Sequence, residues 1–193
     1  MTCIVGIIDK ANNRVVIDSD TAEVSRWNIL NRKDPKVFNN KGFIFGCTTS
    51  FRMIQLLRFS LTPPEIPLVA LPGGGSAQMD IYEYMCTLFV DAVRECFKQG
   101  GFMQKAQDGD EKGGEFLVGY ADRLFMIEGD FQVAELTVEF NSCGCGSDFA
   151  LGSLYSTIGL PMSVEERVLK ALETSEFYCM GVRGPFTILS TSN

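Results

Sequence analysis

The sequence predicts an α+β chain folded as a four-layer αββα sandwich, and three observations carry that prediction. Strand-like runs rich in β-branched and aromatic residues open the chain; two helical apolar stripes follow at 50–59 and 81–97; and strands, two helices and a closing strand then repeat the order. Two antiparallel sheets stacked face to face, each covered by a helix pair, satisfy such an order. A single-sheet α+β domain would use the same elements, and periodicity alone does not separate the two. With 193 residues, 46% of them apolar, one domain over 1–193 has enough material for a sizeable core.

The elements follow in order. Thr2-Cys-Ile-Val-Gly-Ile-Ile8 and Val15-Val-Ile-Asp-Ser-Asp20 flank the polar turn Lys10-Ala-Asn-Asn-Arg14, which makes a hairpin. Lys36-Val-Phe38 and Gly42-Phe-Ile-Phe-Gly46 are short strands separated by Asn39-Asn-Lys41. Phe51, Ile54, Leu57 and Leu61 recur at helical spacing, and the proline-rich 61–75 segment ends that helix as a long loop. Asp80 caps a longer helix whose stripe runs from Ile81 through Tyr84, Leu88 and Val93 to Cys96, closed by Gly100-Gly101. Strands at 116–120, 124–127 and 131–133 alternate with turn residues as a meander. Gly144-Cys-Gly-Ser147 opens a helix through Ala150 and Leu154; Ser163-Val-Glu-Glu166 is a capping box; and 185–189 is the closing strand.

Composition excludes several functions. A net charge of −7 without a basic run argues against nucleic-acid binding. Apolar stretches are broken by charge well before the roughly 18 residues of a membrane helix, so no membrane association is expected. The seven cysteines, an odd number spread through apolar segments with no secretory signal ahead of them, read as reduced thiols of a cytoplasmic protein. Cys143-Gly-Cys145 is too closely spaced for a zinc knuckle and has no second pair, so neither a metal nor another cofactor is expected.

Histidine is absent from the sequence. That removes the usual general base of serine and cysteine hydrolases. A terminal nucleophile whose own α-amine accepts the proton is a physically complete alternative, since an α-amine titrates near ~7.7–8.0. Thr2 is placed for this role, because Met1 before a small residue is generally removable.

The surrounding residues point the same way. Thr2-Cys-Ile-Val-Gly, Val15-Val-Ile-Asp-Ser-Asp20, Lys36-Val and Gly144-Cys-Gly-Ser-Asp-Phe-Ala-Leu-Gly152 resemble the proteasome β subunits and the bacterial peptidase HslV, which are N-terminal nucleophile (Ntn) hydrolases. The likeness is closest to compact proteasome-like proteins encoded by some bacteriophages, which share the closing Gly184-Pro-Phe-Thr-Ile-Leu-Ser190 strand. The resemblance implies the αββα fold and threonine-type peptidase activity, with Thr2 as nucleophile. It implies an orienting aspartate, for which Asp20 matches and Asp18 competes. Lys36 matches the lysine that lowers the amine pKa. An oxyanion-hole N–H is implied near Thr48, where Cys47-Thr48-Thr49 replaces the usual Ala-Gly-Gly. Cys145 stands where the family carries a serine beside the threonine amine, and a thiol is the weaker hydrogen-bonding group.

The family's second aspartate and nearby serine fall around Phe177 and Met180, which cannot do that work, and Glu173 and Glu176 are simply helix-surface carboxylates. The implied partners are peptide or unfolded-protein substrates, further copies of the chain in a ring contacting through the helices at 50–59 and 81–97, and an ATP-driven unfoldase. Two other functions remain open: a catalytically silent proteasome-shaped assembly protein that retains Met1, and an Ntn amidohydrolase acting on small amides, with Cys3 exposed by further trimming.

Overall fold

The structure is a computed structural model and describes residues 1–25, 28–105 and 111–191. The chain opens with the expected hairpin, β1 (Cys3–Asp9) and β2 (Arg14–Asp20), paired antiparallel with Ile4 opposite Ser19 and Val5 opposite Asp18. A second small hairpin follows, β3 (Ala22–Ser25) with β4 (Asn28–Asn31), and then β5 (Val37–Asn40) and β6 (Phe43–Cys47). Helix α1 (Phe51–Phe59) starts at Ser50, whose hydroxyl accepts from the Arg52 N–H at 3.1 Å.

The 61–75 segment is not wholly a loop. Leu68–Ala70 is strand β7, paired with β8 (Ser76–Gln78) across three glycines at positive φ, 73, 74 and 75. Asp80 caps the next helix as expected. α2 (Ile81–Tyr84) runs through a π-helical turn (Met85–Phe89) into α3 (Val90–Gln99). Next come the two-residue strands β9 (Gln104–Lys105) and β10 (Glu111–Lys112), and the meander β11 (Phe116–Tyr120), β12 (Arg123–Ile127) and β13 (Val133–Glu135), the last displaced two residues from 131–133.

Strand β14 (Phe140–Gly144) is unanticipated from sequence. Phe140-Asn-Ser-Cys-Gly144 has no β-branched residue, and its place in the sheet comes from pairing with β1, Cys3 opposite Gly144 and Ile7 opposite Phe140. The final elements are α4 (Ser147–Ser156), α5 (Val164–Tyr178) with both bonds of the Ser163–Glu166 capping box formed, and β15 (Phe186–Ser190).

The strands make a four-stranded sheet, β14-β1-β2-β15, and a five-stranded sheet, β13-β12-β11-β6-β5, every ladder antiparallel. Period-two alternation sends successive side chains of each strand to opposite faces, so three apolar layers result. Ile4, Val15 and Ile17 meet Val37, Ile44 and Leu117 between the sheets. Cys3, Val5, Ile7 and Val16 pack under α4 and α5 through Ala150, Leu154, Val168 and Leu172. An aromatic-rich layer, including Phe43, Phe45, Phe116 and Phe125, packs under α1, α2 and α3. This is the αββα sandwich, not the single-sheet alternative. Gly46 lets the sheets approach: a Cβ there would lie 2.4 Å from the Ile4 side chain and 2.6 Å from that of Ile17.

Candidate active site

Thr2 lies just ahead of β1, at the end of the sandwich where both sheets deliver polar side chains, and is only 6% exposed. Asp20 ends β2 with its carboxylate fully buried. One oxygen accepts from the Cys3 N–H at 3.0 Å and the other from the Ala22 N–H at 3.2 Å, which fixes the carboxylate against the residue following Thr2. Lys36, just before β5 of the opposite sheet and 1% exposed, donates to both carboxylate oxygens at 2.9 Å. Burial pushes the Asp20 pKa up and the Lys36 pKa down, and the attraction between them opposes both shifts.

The same ammonium donates to the Met1 carbonyl oxygen at 3.4 Å, and the Thr2 hydroxyl donates to that oxygen at 2.5 Å. Lys36 therefore reaches the peptide that Met1 and Thr2 share. Asp18, the rival carboxylate on the same face of β2, has other partners: it accepts from the Ser19 N–H at 2.6 Å and from the Thr187 backbone, and burial raises its pKa to about 7.

The other flank of Thr2 is the turn from β14 into α4. The Thr2 N–H points to Cys145 Sγ at 3.2 Å, and the Cys145 thiol donates to the Thr2 carbonyl oxygen at 3.3 Å. Gly144 is the residue that makes room. Its φ is +98°, and a Cβ there would sit 2.3 Å from the Thr2 carbonyl oxygen, so a side chain would displace Thr2 itself.

Four further residues belong to this neighbourhood. Ser175, fully buried on α5, donates to the carbonyls of Gly146 and Ala171 at 2.9 Å each and so ties the turn to the helix. Ser142 donates to the Ile4 carbonyl at 2.7 Å and locks β14 to β1. Cys179, the C-cap of α5, brings its sulfur to 3.5 Å from Cys145 Sγ. Glu23 lines the cleft beside Thr2 and is held by Arg32 at 2.7 Å.

Ser175 is legible only as the fourth member of the apolar stripe Val168, Ala171, Leu172, Ser175; a hydroxyl on that buried face is the signal, two residues from the Phe177 position. Glu176 accepts from the Gly184 N–H at 3.1 Å and Glu173 is exposed, in keeping with helix-surface roles. Cys3 does not face the cleft. Its thiol packs among the residues under α4 and α5, and burial raises its pKa to about 11, so the reading of Cys3 as a trimmed-chain nucleophile finds no site.

The cleft, about 170 Å³, is bounded by Met1, Thr2 and Lys36 on one side and Thr48, Thr49 and Phe51 on the other. Here the backbone corrects one expectation. The Thr48 N–H donates to the Glu115 carbonyl at 3.1 Å, extending the β6–β11 ladder, so it is not free to hold an oxyanion. Ser50 N–H closes back on the Thr48 carbonyl at 2.7 Å around Thr49, whose φ is +57°. A β-branched residue in that region is strained. The Thr49 hydroxyl holds it there, accepting from the Glu115 N–H at 3.1 Å and lying 3.1 Å from the Thr48 hydroxyl. The Thr49 N–H has no partner among the described residues.

Among the described residues no group of three or more cysteine and acidic side chains could hold a metal, and no helix is long and apolar enough to cross a membrane.

Neither a family model nor a curated protein sequence matches the chain. Solved structures do. BPH from Thiobacillus denitrificans, in complex with epoxomicin, superposes with a TM-score of 0.77 at 15% identity over 100% of both chains. HslV from Trypanosoma brucei gives 0.66 at 14% identity over 98% of both chains. The Anbu (Gly-1) mutant from Hyphomicrobium sp. strain MC1 gives 0.64 at 18% identity, over 97% of this chain and 80% of that one. The fold is therefore the sandwich that BPH and HslV share, as the αββα layering indicates.

Proposed function

We propose that the chain is a threonine-type peptidase in which Thr2, freed by removal of Met1, attacks the peptide bond. The observation that carries this reading is the convergence on Thr2 of a buried Asp20–Lys36 ion pair supplied by two different sheets. Burying such a pair costs several kcal/mol per ion before the attraction repays it, a cost that a purely structural position can avoid with apolar residues. Lys36 places positive charge next to the Thr2 nitrogen. A nearby cation disfavours the ammonium form of an amine, so once Met1 is gone the α-amine is neutral near pH 7 and can accept a proton.

The reaction then balances with this chain's own groups. The Thr2 hydroxyl oxygen bonds to the substrate carbonyl carbon while its proton moves to the Thr2 amine, and the Thr49 N–H serves the developing oxyanion. Collapse breaks the C–N bond, and the amine passes its proton to the leaving nitrogen. Water then attacks the Thr2 ester, with the same amine as base, and releases the acid. Cys145, in contact with both the nitrogen and the carbonyl oxygen of Thr2, orients the amine through these steps.

The substrates proposed are peptides or unfolded polypeptides. Subunits would associate through exposed apolar side chains of the helices at 50–59 and 81–97, on which Phe59, Tyr82 and Leu88 are 77%, 42% and 39% exposed. An ATP-driven unfoldase would feed such a ring.

The decisive test compares the chain processed to Thr2 with its Thr2→Ala variant, likewise lacking Met1, on unfolded protein and on peptides. The Thr2→Ala chain is expected to lose at least about a thousandfold in turnover while keeping its melting temperature. Epoxomicin, the ligand of the Thiobacillus denitrificans structure, gives a second readout that needs no correct guess of substrate: a mass adduct on the Thr2 chain that Thr2→Ala lacks. Equal turnover in the two chains overturns the proposal.

A second reading has one observation in its favour. The Met1 carbonyl oxygen takes the hydrogen bonds of both the Thr2 hydroxyl and Lys36, so a chain that keeps Met1 has its nucleophile and its cation satisfied internally. Such a chain would be a silent, proteasome-shaped assembly protein. Intact mass of protein from its native source separates the readings: loss of one methionine supports the peptidase, retention the scaffold.

A further inference from the structure

Cys145 and Cys179 are the described cysteines whose sulfurs touch each other, at 3.5 Å, and both have access to solvent, Cys145 exposed and Cys179 half-buried. Cys3, Cys47, Cys96 and Cys143 are buried, while Cys86 is exposed elsewhere. The pair comes from the two late elements flanking Thr2. Cys145 sits in the Gly144–Gly146 turn, and Cys179 has extended backbone, φ −112° and ψ 111°, just beyond the last turn of α5. A disulfide needs the sulfurs at ~2.05 Å, so closure asks for a movement of about 1.5 Å. Gly181 leaves room for it, since a Cβ there would lie 2.8 Å from Cys145 Sγ. Two thiols without a third donor do not make a metal site, whereas they are all a disulfide requires.

We propose that Cys145 and Cys179 form a dithiol modification site that a peroxide closes to a disulfide, taking from the Thr2 nitrogen its sulfur partner and so switching the nucleophile off. The chemistry balances in two steps. The more exposed Cys145 thiol attacks one peroxide oxygen, giving a sulfenic acid and, from hydrogen peroxide, one water. Cys179 Sγ then attacks the sulfenic sulfur, forming the S–S bond and releasing a second water. The two electrons lost by the thiols reduce the peroxide. A disulfide sulfur has no proton to donate to the Thr2 carbonyl, and closing toward Cys179 draws Cys145 away from its 3.2 Å contact with the Thr2 nitrogen. A thiol reductant reverses the change. The existence of the site is independent of the peptidase reading; its consequence for turnover rests on it.

The experiment treats the full chain, processed to Thr2, with hydrogen peroxide, traps remaining thiols with iodoacetamide and maps the peptides by mass. The expected result is one linked peptide pair, Cys145 to Cys179, with Cys86 recovered alkylated. Acylation of the Thr2 amine by acetic anhydride is read on the same samples and should change on oxidation and return with dithiothreitol. Turnover should fall at least about tenfold in parallel, roughly the 1.4 kcal/mol scale of a lost hydrogen bond. In Cys179→Ser no linked pair should form, and Cys145, oxidised without its resolving thiol, should be recovered as the sulfenic acid or a higher oxide. Recovery of Cys145 and Cys179 unlinked, or a link that leaves the Thr2 amine unchanged, overturns the proposal. A reduced chain without peptidase activity would count against the function proposed above, while peptide mapping and amine acylation would still decide this one.

Discussion

The two flanks of Thr2 are built from different chemistry. On one, Asp20 and Lys36 form a fully buried ion pair whose carboxylate also takes two backbone N–H groups. On the other, a glycine-flanked thiol makes two contacts with Thr2 and stays exposed, with a second thiol behind it. The charged flank is rigid because every polar atom has a partner and removal of either charge leaves the other stranded. The thiol flank is soft because sulfur bonds weakly and Cys145 sits in the short turn between β14 and α4. Charge tuning of the amine is thereby separated from its orientation, and only the second function is open to modification from solvent.

The largest expected effect comes from breaking the charged flank. Lys36→Met keeps the length of the stem but leaves Asp20 as an unpaired buried carboxylate. Loss of one partner of a buried pair costs about 3–5 kcal/mol, read as a fall in urea midpoint. Without the cation the Thr2 amine regains its affinity for protons, so turnover at pH 7 should fall by about a hundredfold or more and recover in part at higher pH. A Lys36→Met, Asp20→Asn double variant should restore much of the stability and none of the turnover. If stability and turnover returned together, Lys36 would be a structural cation only.

A smaller effect is expected on the soft flank. Cys145→Ser replaces a weak donor and acceptor with a stronger one at the same place, and a net hydrogen bond is worth about 1 kcal/mol. Turnover should rise, by no more than about fivefold, with melting temperature nearly unchanged. A fall of a hundredfold would make the thiol itself chemically necessary and would erase the contrast between the flanks.

How much of this was legible in the sequence follows the same division. The missing histidines made the amine of Thr2 the base to consider, while Asp20 and Lys36 were legible only through the resemblance to the proteasome β subunits and HslV. The choice between Asp18 and Asp20 was not legible: residues two apart on a strand share a face, and only the arrival of Lys36 from the other sheet selects one. Nor was the choice between Thr48 and Thr49, because a backbone N–H is committed by ladder geometry and φ, which side chains do not report. Strand β14 was hidden by its Asn, Ser and Gly content, although the resemblance already placed Cys145 beside the Thr2 amine. Cys179 was legible only as one of the seven cysteines read as reduced thiols. Element order suggested the αββα layering and the resemblance selected it over a single sheet, while the β3–β4 and β7–β8 hairpins, whose residues are largely exposed, carry too little burial to leave a pattern.

Asp18 provides the control for the whole comparison, being a buried carboxylate two residues from Asp20 with no lysine partner among the described residues. Burial raises its pKa to about 7 from 3.8, with Asp20 nearby adding a smaller push in the same direction. Between those values the folded chain holds a proton that the unfolded chain has released, so stability falls as pH rises from about 4 to about 7 and is level above that. At 1.36 kcal/mol per pKa unit the ceiling on this loss is about 4 kcal/mol. Asp18→Asn keeps an oxygen to accept the Ser19 N–H and never ionises, so it should match the parent near pH 4 and exceed it at pH 8, with turnover within about twofold. Urea denaturation across that range reads the difference directly. A parent and variant of equal stability at pH 8 would mean that Asp18 ionises without cost in the fold, and burial alone would then no longer explain why Asp20 needs Lys36.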